Sequence, residues 1–261
     1  MSIGPDQTPA RRARVTAITS GKGGVGKTFV AANLAAALAK RGERVLVLDA
    51  DLGLANLDVM LNLSPKITLH DVFTGRRALD EAILPVPGGF SVLLAGSGMV
   101  EYSRLTSEVR EQLLKVIAAV APRFDRVLLD TGAGISDVVL FTISLADQVM
   151  VVATPEPTSL TDAYATIKVL ATTQKRHVLQ LLVNQVNRPG EGKVIRNQLQ
   201  QVTDRYVAPA VNAQVKLELI GEIPNDKAVR EAIQRRQLLL ECVPGSAAAQ
   251  AIANFAARLS S

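Results

Sequence analysis

Tryptophan is absent from the 261 residues, and aromatic side chains make up only 3% of them. Successive bases of a single-stranded nucleic acid would find few π-faces to stack on, so that mode of binding is not expected. Cysteine occurs once, as Cys242, which excludes a disulfide or a paired-cysteine metal site within the chain. The two histidines, His70 and His177, have no partners at metal-ligand or triad spacing, and Ser-His-Asp chemistry finds no support. No apolar run approaches the roughly 20 residues of a membrane span. Met1 to Arg14 carries arginine and proline but no apolar stretch of the secretory-signal kind. A reduced, cytoplasmic setting is expected. Internal repeats and low-complexity tracts are also lacking, apart from an alanine bias near the end.

What is present is enough apolar material for one large domain. Hydrophobic residues reach 48%, which excludes disorder of the whole chain. The formal net charge of +5 permits contact with anionic lipid or DNA and demands neither. Residues 1–13 read as a flexible arm and 14–261 as a single α/β domain. Its central sheet is expected to be mostly parallel, with helices on both faces.

The chain is organised around Gly21-Lys22-Gly23-Gly24-Val25-Gly26-Lys27-Thr28, with Phe29 opening a helix. An apolar strand-like run, Val15 to Ile18, precedes it. Strand, glycine loop and helix are the context of a phosphate-binding loop. Glycines let the backbone N–H groups curl toward phosphate oxygens, and the helix N-terminus adds its positive end. Lys27 supplies a charge for the β- and γ-phosphates of ATP, and the Thr28 hydroxyl is placed to ligate Mg²⁺. A continuous apolar run, Arg44 to Leu48, ends in Asp49-Ala50-Asp51, at the edge where parallel sheets bind ligands. Asp51 is the candidate for orienting the attacking water and also stands among the candidate metal-site residues, and Asp49 is the candidate for supporting Mg²⁺ through water. A turn between them would separate the two side chains. Asp130 closes another apolar run in the manner of a metal-binding carboxylate, and Gly132 to Ile135 follows, where backbone can approach phosphate. Helices are expected over Thr28–Arg41, Thr106–Val120, Thr158–Thr172, Val194–Tyr206, Lys227–Gln237 and 246–259, and two short ones between Thr68 and Leu84.

With Lys22 early in the loop, KGGVGKT is similar to the deviant Walker A motif, and the chain resembles the MinD/ParA family of ATPases over about Arg14 to Leu259. The resemblance implies an ATP-dependent homodimer in which Lys22 reaches the partner's nucleotide. It implies a switch segment over Leu52–Leu63, and an adenine site at Asn184 with the Pro224-Asn225-Asp226 turn. An Asx-turn is the other reading of Asn184. Within the family, Asp49 to Asp58, Asp130 to Asp137 and Glu156-Pro157-Thr158-Ser159-Leu160-Thr161-Asp162-Ala163-Tyr164 resemble the FlhG/FleN group of flagellar-number ATPases. That group implies partners: a flagellar C-ring protein, a flagellar transcription activator, or FlhF. For FlhF, Asp6, Gln7 and Arg12 match the activating arm, while Thr8 and Arg11 depart from it. The group also implies weak contact of the C-terminal helix with anionic membrane, hence peripheral placement at the inner membrane face; this helix is short, mostly alanine and carries a single arginine, so a packing helix is the other reading. Sequence-specific DNA binding is not expected. A division-site MinD or a DNA-partitioning ParA is the alternative client. An iron-protein enzyme would need two cysteines per subunit, and a non-hydrolysing adaptor would not need Lys27, Thr28 and Asp51.

Overall fold

The computed structural model describes residues 12–53, 56–96 and 104–260. β1 (Arg14–Ser20) leads through the glycine loop into α1 (Lys27–Ala39), and β2 (Val45–Ala50) follows. Three short helices, α2 (Leu57–Met60), α3 (Leu69–Phe73) and α4 (Leu79–Ala82), precede a hairpin of β3 (Ile83–Pro85) and β4 (Ser91–Leu93). Then α5 (Ser107–Val120), β5 (Arg126–Ala133), α6 (Asp137–Ser144), β6 (Gln148–Ala153), α7 (Pro157–Gln174) and β7 (Val178–Val186) alternate. The chain closes with α8 (Glu191–Tyr206), α9 (Ala208–Val211), β8 (Lys216–Pro224), α10 (Lys227–Gln234), α11 (Leu239–Cys242) and α12 (Ala247–Ser260).

All eight strands form one sheet, in the order β3-β4-β2-β5-β1-β6-β7-β8. Every pairing is parallel except β3 with β4. The period of two explains why so apolar a set of strands is needed. In β2, Leu46 and Leu48 pack with α5, α6 and α7 on one face. Val45 and Val47 pack with α1, α11 and α12 on the other. β5 and β6 alternate in the same way, so the sheet is buried on both sides. This is a doubly wound α/β fold with ligand space at the carboxyl ends of its strands.

α1 is buried almost all round, as a helix caught between sheet and neighbour must be. The neighbour is α12. Ile252, Phe255 and Ala256 of α12 are fully buried against it and β8, and Leu259 is half-buried. Much of the apolar face of helix 246–259 is therefore taken up by the protein itself, as in a packing helix. No helix among the described residues is long and apolar enough to cross a membrane.

At the other end of the chain, Asp6 and Gln7 lie outside the described residues. Ala13 is buried, and its N–H donates to the Ala121 carbonyl at 2.8 Å. Regular packing therefore starts before β1.

Candidate nucleotide site

The glycine loop emerges from the carboxyl end of β1, in the centre of the sheet. Gly26, the residue before α1, has φ 97° and ψ 25°, a left-handed conformation that glycine adopts without steric cost. A Cβ here would stand 2.5 Å from Asn184 Nδ2. Gly21 is closed off differently: a Cβ there would stand 2.1 Å from the Asp162 carbonyl oxygen, so the loop lies directly on α7.

Lys27 is buried and donates to Ser20 Oγ at 3.0 Å. Burial lowers its pKa from the ordinary lysine value, while the charges of Asp130 and Asp51 work against that shift. Asp130 is 2% exposed and Asp49 1%, and the two face each other in register across β5 and β2. Burial pushes Asp130 up to about 6, opposed by the Thr28 hydroxyl and then the Lys27 charge. Burial, followed by the Asp130 charge, raises Asp49 well above the usual carboxylate range, although the Asp51 and Leu57 N–H groups donate to it. Asp51 lies just past the end of β2. Its N–H donates to Asp49 Oδ1 at 3.2 Å, and its carboxylate lies against Gly132.

A cavity of about 740 Å³ opens above these groups, lined by Gly24, Lys27, Thr28, Asp51, Gly132 and Ala133 among others. A second, of about 770 Å³, shares Gly24, Gly26 and Phe29 with it and continues past Asn184, Pro224, Asn225 and Asp226. The predicted phosphate and base residues thus border one continuous groove. Beneath its floor, two buried carboxylate atoms, Asp49 Oδ2 and Asp130 Oδ1, have no hydrogen-bond partner among the described residues. Orphaned anionic oxygens beside Thr28 suit a hydrated cation. No group of three metal-ligating side chains converges among the described residues. Mg²⁺ on a nucleotide fits that arrangement, since it keeps several waters and takes few protein ligands alongside phosphate.

Other predicted residues are placed in ways the sequence did not show. Lys22 turns away from the groove: its Nζ donates to Glu156 Oε2 and to Thr158 Oγ1, both at 2.8 Å. The loop lysine is therefore held at the N-terminus of α7, by the segment that carries the group-specific motif. Val25 is buried, and its carbonyl accepts from Asn184 Nδ2 at 2.8 Å, while Asn184 Oδ1 accepts from the Gln185 N–H. Asn184 thus bonds the N–H of the next residue and braces the loop, leaving one N–H and one lone pair of its amide for a base. Asp226 caps α10 through the Ala228 N–H and also accepts from the Ala248 N–H of α12. Its backbone borders the groove, but its carboxylate is structural. Gly23 lies on the open side of the first cavity. Sequence reasoning missed Ser20, which holds both Lys27 and the Lys22 carbonyl, and missed the contacts of Glu156, Thr158 and Asp162.

The profile of the CobQ/CobB/MinD/ParA nucleotide binding domain matches residues 16–240. The chain belongs to the MinD/ParA family. Antiactivator FleN of Pseudomonas aeruginosa is 41% identical over 248 residues, covering 95% of this MinD/ParA chain and 86% of FleN. Flagellum site-determining protein YlxH of Helicobacter pylori is 33% identical over 244 residues, covering 93% and 80%. The septum site-determining protein MinD of Pyrococcus horikoshii, solved as a complex with Mg-ADP, matches with a TM-score of 0.75 at 27% identity, over 95% of this chain and 96% of that one. Membership accounts for the doubly wound sheet with its loop at the central strand.

Proposed function

We propose that this MinD/ParA-family chain is an ATP-dependent dimerising switch that hydrolyses ATP and sets flagellar number and placement. The observation that carries the reading is the meeting of Lys22 with Glu156 and Thr158. It joins the phosphate loop to the segment that resembles the flagellar group. Likeness to FleN and YlxH over more than nine-tenths of the chain supports the same client.

In this reading Gly21 to Thr28 holds the ATP phosphates, with Lys27 against the β- and γ-phosphates. Thr28 would ligate Mg²⁺, with Asp130 and Asp49 supporting it. The ion neutralises phosphate charge when bound. Asp51, on the open side of the groove, orients the attacking water. Asn184 and the Pro224–Asp226 turn border the base. Phosphoryl transfer of this kind rests on positioning and charge, so no side-chain nucleophile is required. Lys22 exchanges Glu156 and Thr158 for the partner's nucleotide when two copies close. Clients on the flagellar side are a C-ring protein, a transcription activator or FlhF, met at the inner face of the membrane.

The test is a count of flagella per cell by electron microscopy in a strain lacking the gene. Extra or misplaced flagella with normal division support the reading. Normal flagella with minicells or anucleate cells would move the switch to division or DNA partitioning.

A further inference from the structure

The end of the sheet opposite the glycine loop carries a polar cavity of about 450 Å³, lined by Arg12, Arg14, Arg41, Arg126, Glu43 and Asp125 among others. Part of this charge is paired internally. Arg126 Nε donates to Glu43 Oε2 at 2.7 Å in a largely buried ion pair, and its Nη2 donates to the Leu259 carbonyl at the end of α12. Glu43 also accepts from Ser260 Oγ. Asp125 accepts from Arg44 Nε and Nη2 at 3.2 and 3.1 Å on the rim. Arg12, Arg14 and Arg41 remain. They come from the lead-in to β1, the first residue of β1 and the turn after α1, and no acidic side chain among the described residues pairs with them.

Their backbones are held in place. The Arg14 N–H donates to the Asp125 carbonyl at 3.1 Å, the Arg41 N–H to the Leu38 carbonyl at 3.0 Å, and Ala13, between Arg12 and Arg14, is bonded to Ala121. Three exposed cations anchored around one hollow by their backbones repel one another weakly, and an anion among them would gain from all three. The two carboxylates of the lining are already engaged, by Arg126 and Arg44, so neither can serve as that anion.

We propose that this cavity binds a small phosphate ester carrying two negative charges, at a site separate from the nucleotide groove. Guanidinium groups keep their protons at any working pH, and their planar forks match phosphate oxygens in pairs. The volume lies within the roughly 300–1,000 Å³ of small-ligand sites and exceeds what a bare phosphate needs. The same chemistry occurs on a soluble ester and on a lipid headgroup.

Calorimetric titration of the full chain, saturated with ADP and Mg²⁺, with sn-glycerol 3-phosphate reads the site directly. One binding event is expected. In the double substitution Arg14→Gln with Arg41→Gln it weakens by roughly tenfold or more, through loss of two charge-assisted contacts. Both side chains are exposed, so the thermal unfolding midpoint should stay where it was. Flotation with phosphatidylcholine vesicles containing about a third phosphatidic acid, whose headgroup is the same phosphomonoester, distinguishes the sources. Flotation that the double substitution abolishes and glycerol 3-phosphate competes away assigns the site to a bilayer headgroup. Calorimetric binding without flotation assigns it to a soluble ester. Equal affinity in the doubly substituted chain, or no binding of either probe by the original chain, overturns the proposal.

Discussion

Asp130 is a carboxylate held in the wrong medium for its charge. Burial moves it from 3.8 to about 6, and neither the Thr28 hydroxyl nor Lys27 fully offsets this. A folded pKa above the unfolded one means that protonation favours the fold. That contribution is complete below about pH 4 and is lost as pH rises through about 6. A shift near two units corresponds to about 3 kcal/mol. In the nucleotide-free, Mg²⁺-free protein, Asp130→Asn is expected to raise stability at pH 7 by up to that amount and to leave it unchanged near pH 4. Urea unfolding at the two pH values checks this, and a less stable variant at pH 7 would mean that Lys27 already neutralises the site. Asp49 has the same sign of shift, so a cation beside the two carboxylates would favour their charged forms. Lys22 presents the opposite case. Its side chain is 37% exposed and that of Glu156 62%, a setting in which ion pairs are worth about 0–1 kcal/mol. Lys22→Ala should therefore unfold at nearly the parent's urea midpoint. Light scattering with ATP should nevertheless find it monomeric; an ATP-dependent dimer would count against a role for this lysine between copies.

Among the elements, α12 has the largest consequence. Phe255 is among the largest fully buried side chains, and its helix covers α1, which begins at Lys27. Phe255→Ala is expected to cost about 3–5 kcal/mol, as large aromatic truncations in cores do. A marked drop in the thermal midpoint with nucleotide binding retained on the surviving folded fraction would place the helix in the core. An unchanged midpoint would return it to the surface. The sequence showed this helix and its apolar stripe but not which surface would take the stripe, because protein and lipid select the same pattern. Signals confined to a short window were legible. The glycine loop, the apolar run of β2 and the spacing of Val109, Leu113, Val116 and Val120 in α5 each appear with boundaries within two residues. α6 was not legible: eight residues, rich in β-branched side chains, look no more like a helix than like a strand. β3 is three residues ending in proline, and only its pairing with β4 makes it a strand. The Lys22 contacts join positions 134 and 136 apart in sequence, which no local pattern encodes.

Taken whole, the molecule keeps its two cores on opposite faces of one sheet and leaves the carboxyl edge for chemistry. Lys27, Asp51 and Asn184 stand along that edge, at the start of α1, just past β2 and on β7, supported by buried neighbours, so the groove is largely preformed. What remains to move is at its rim. Lys22 is tied to α7, and Ile135, 46% exposed beside the glycines that line the groove, offers apolar surface without a partner in the same region. A switch built this way needs hydrolysis to reset it, and the residue proposed for that step is only partly buried and lies past the end of β2, outside both cores. Asp51→Ala should therefore leave the fold and ATP binding intact, slow turnover by roughly two orders of magnitude or more, and accumulate an ATP-bound dimer. Turnover assays with size-exclusion light scattering in ATP separate the outcomes. Parent-like hydrolysis would remove Asp51 from its role, and slow hydrolysis by a monomer would uncouple the groove from assembly. A stable dimer with slow hydrolysis would mean that the whole edge, from Lys22 across to Asp51, acts as one timed device.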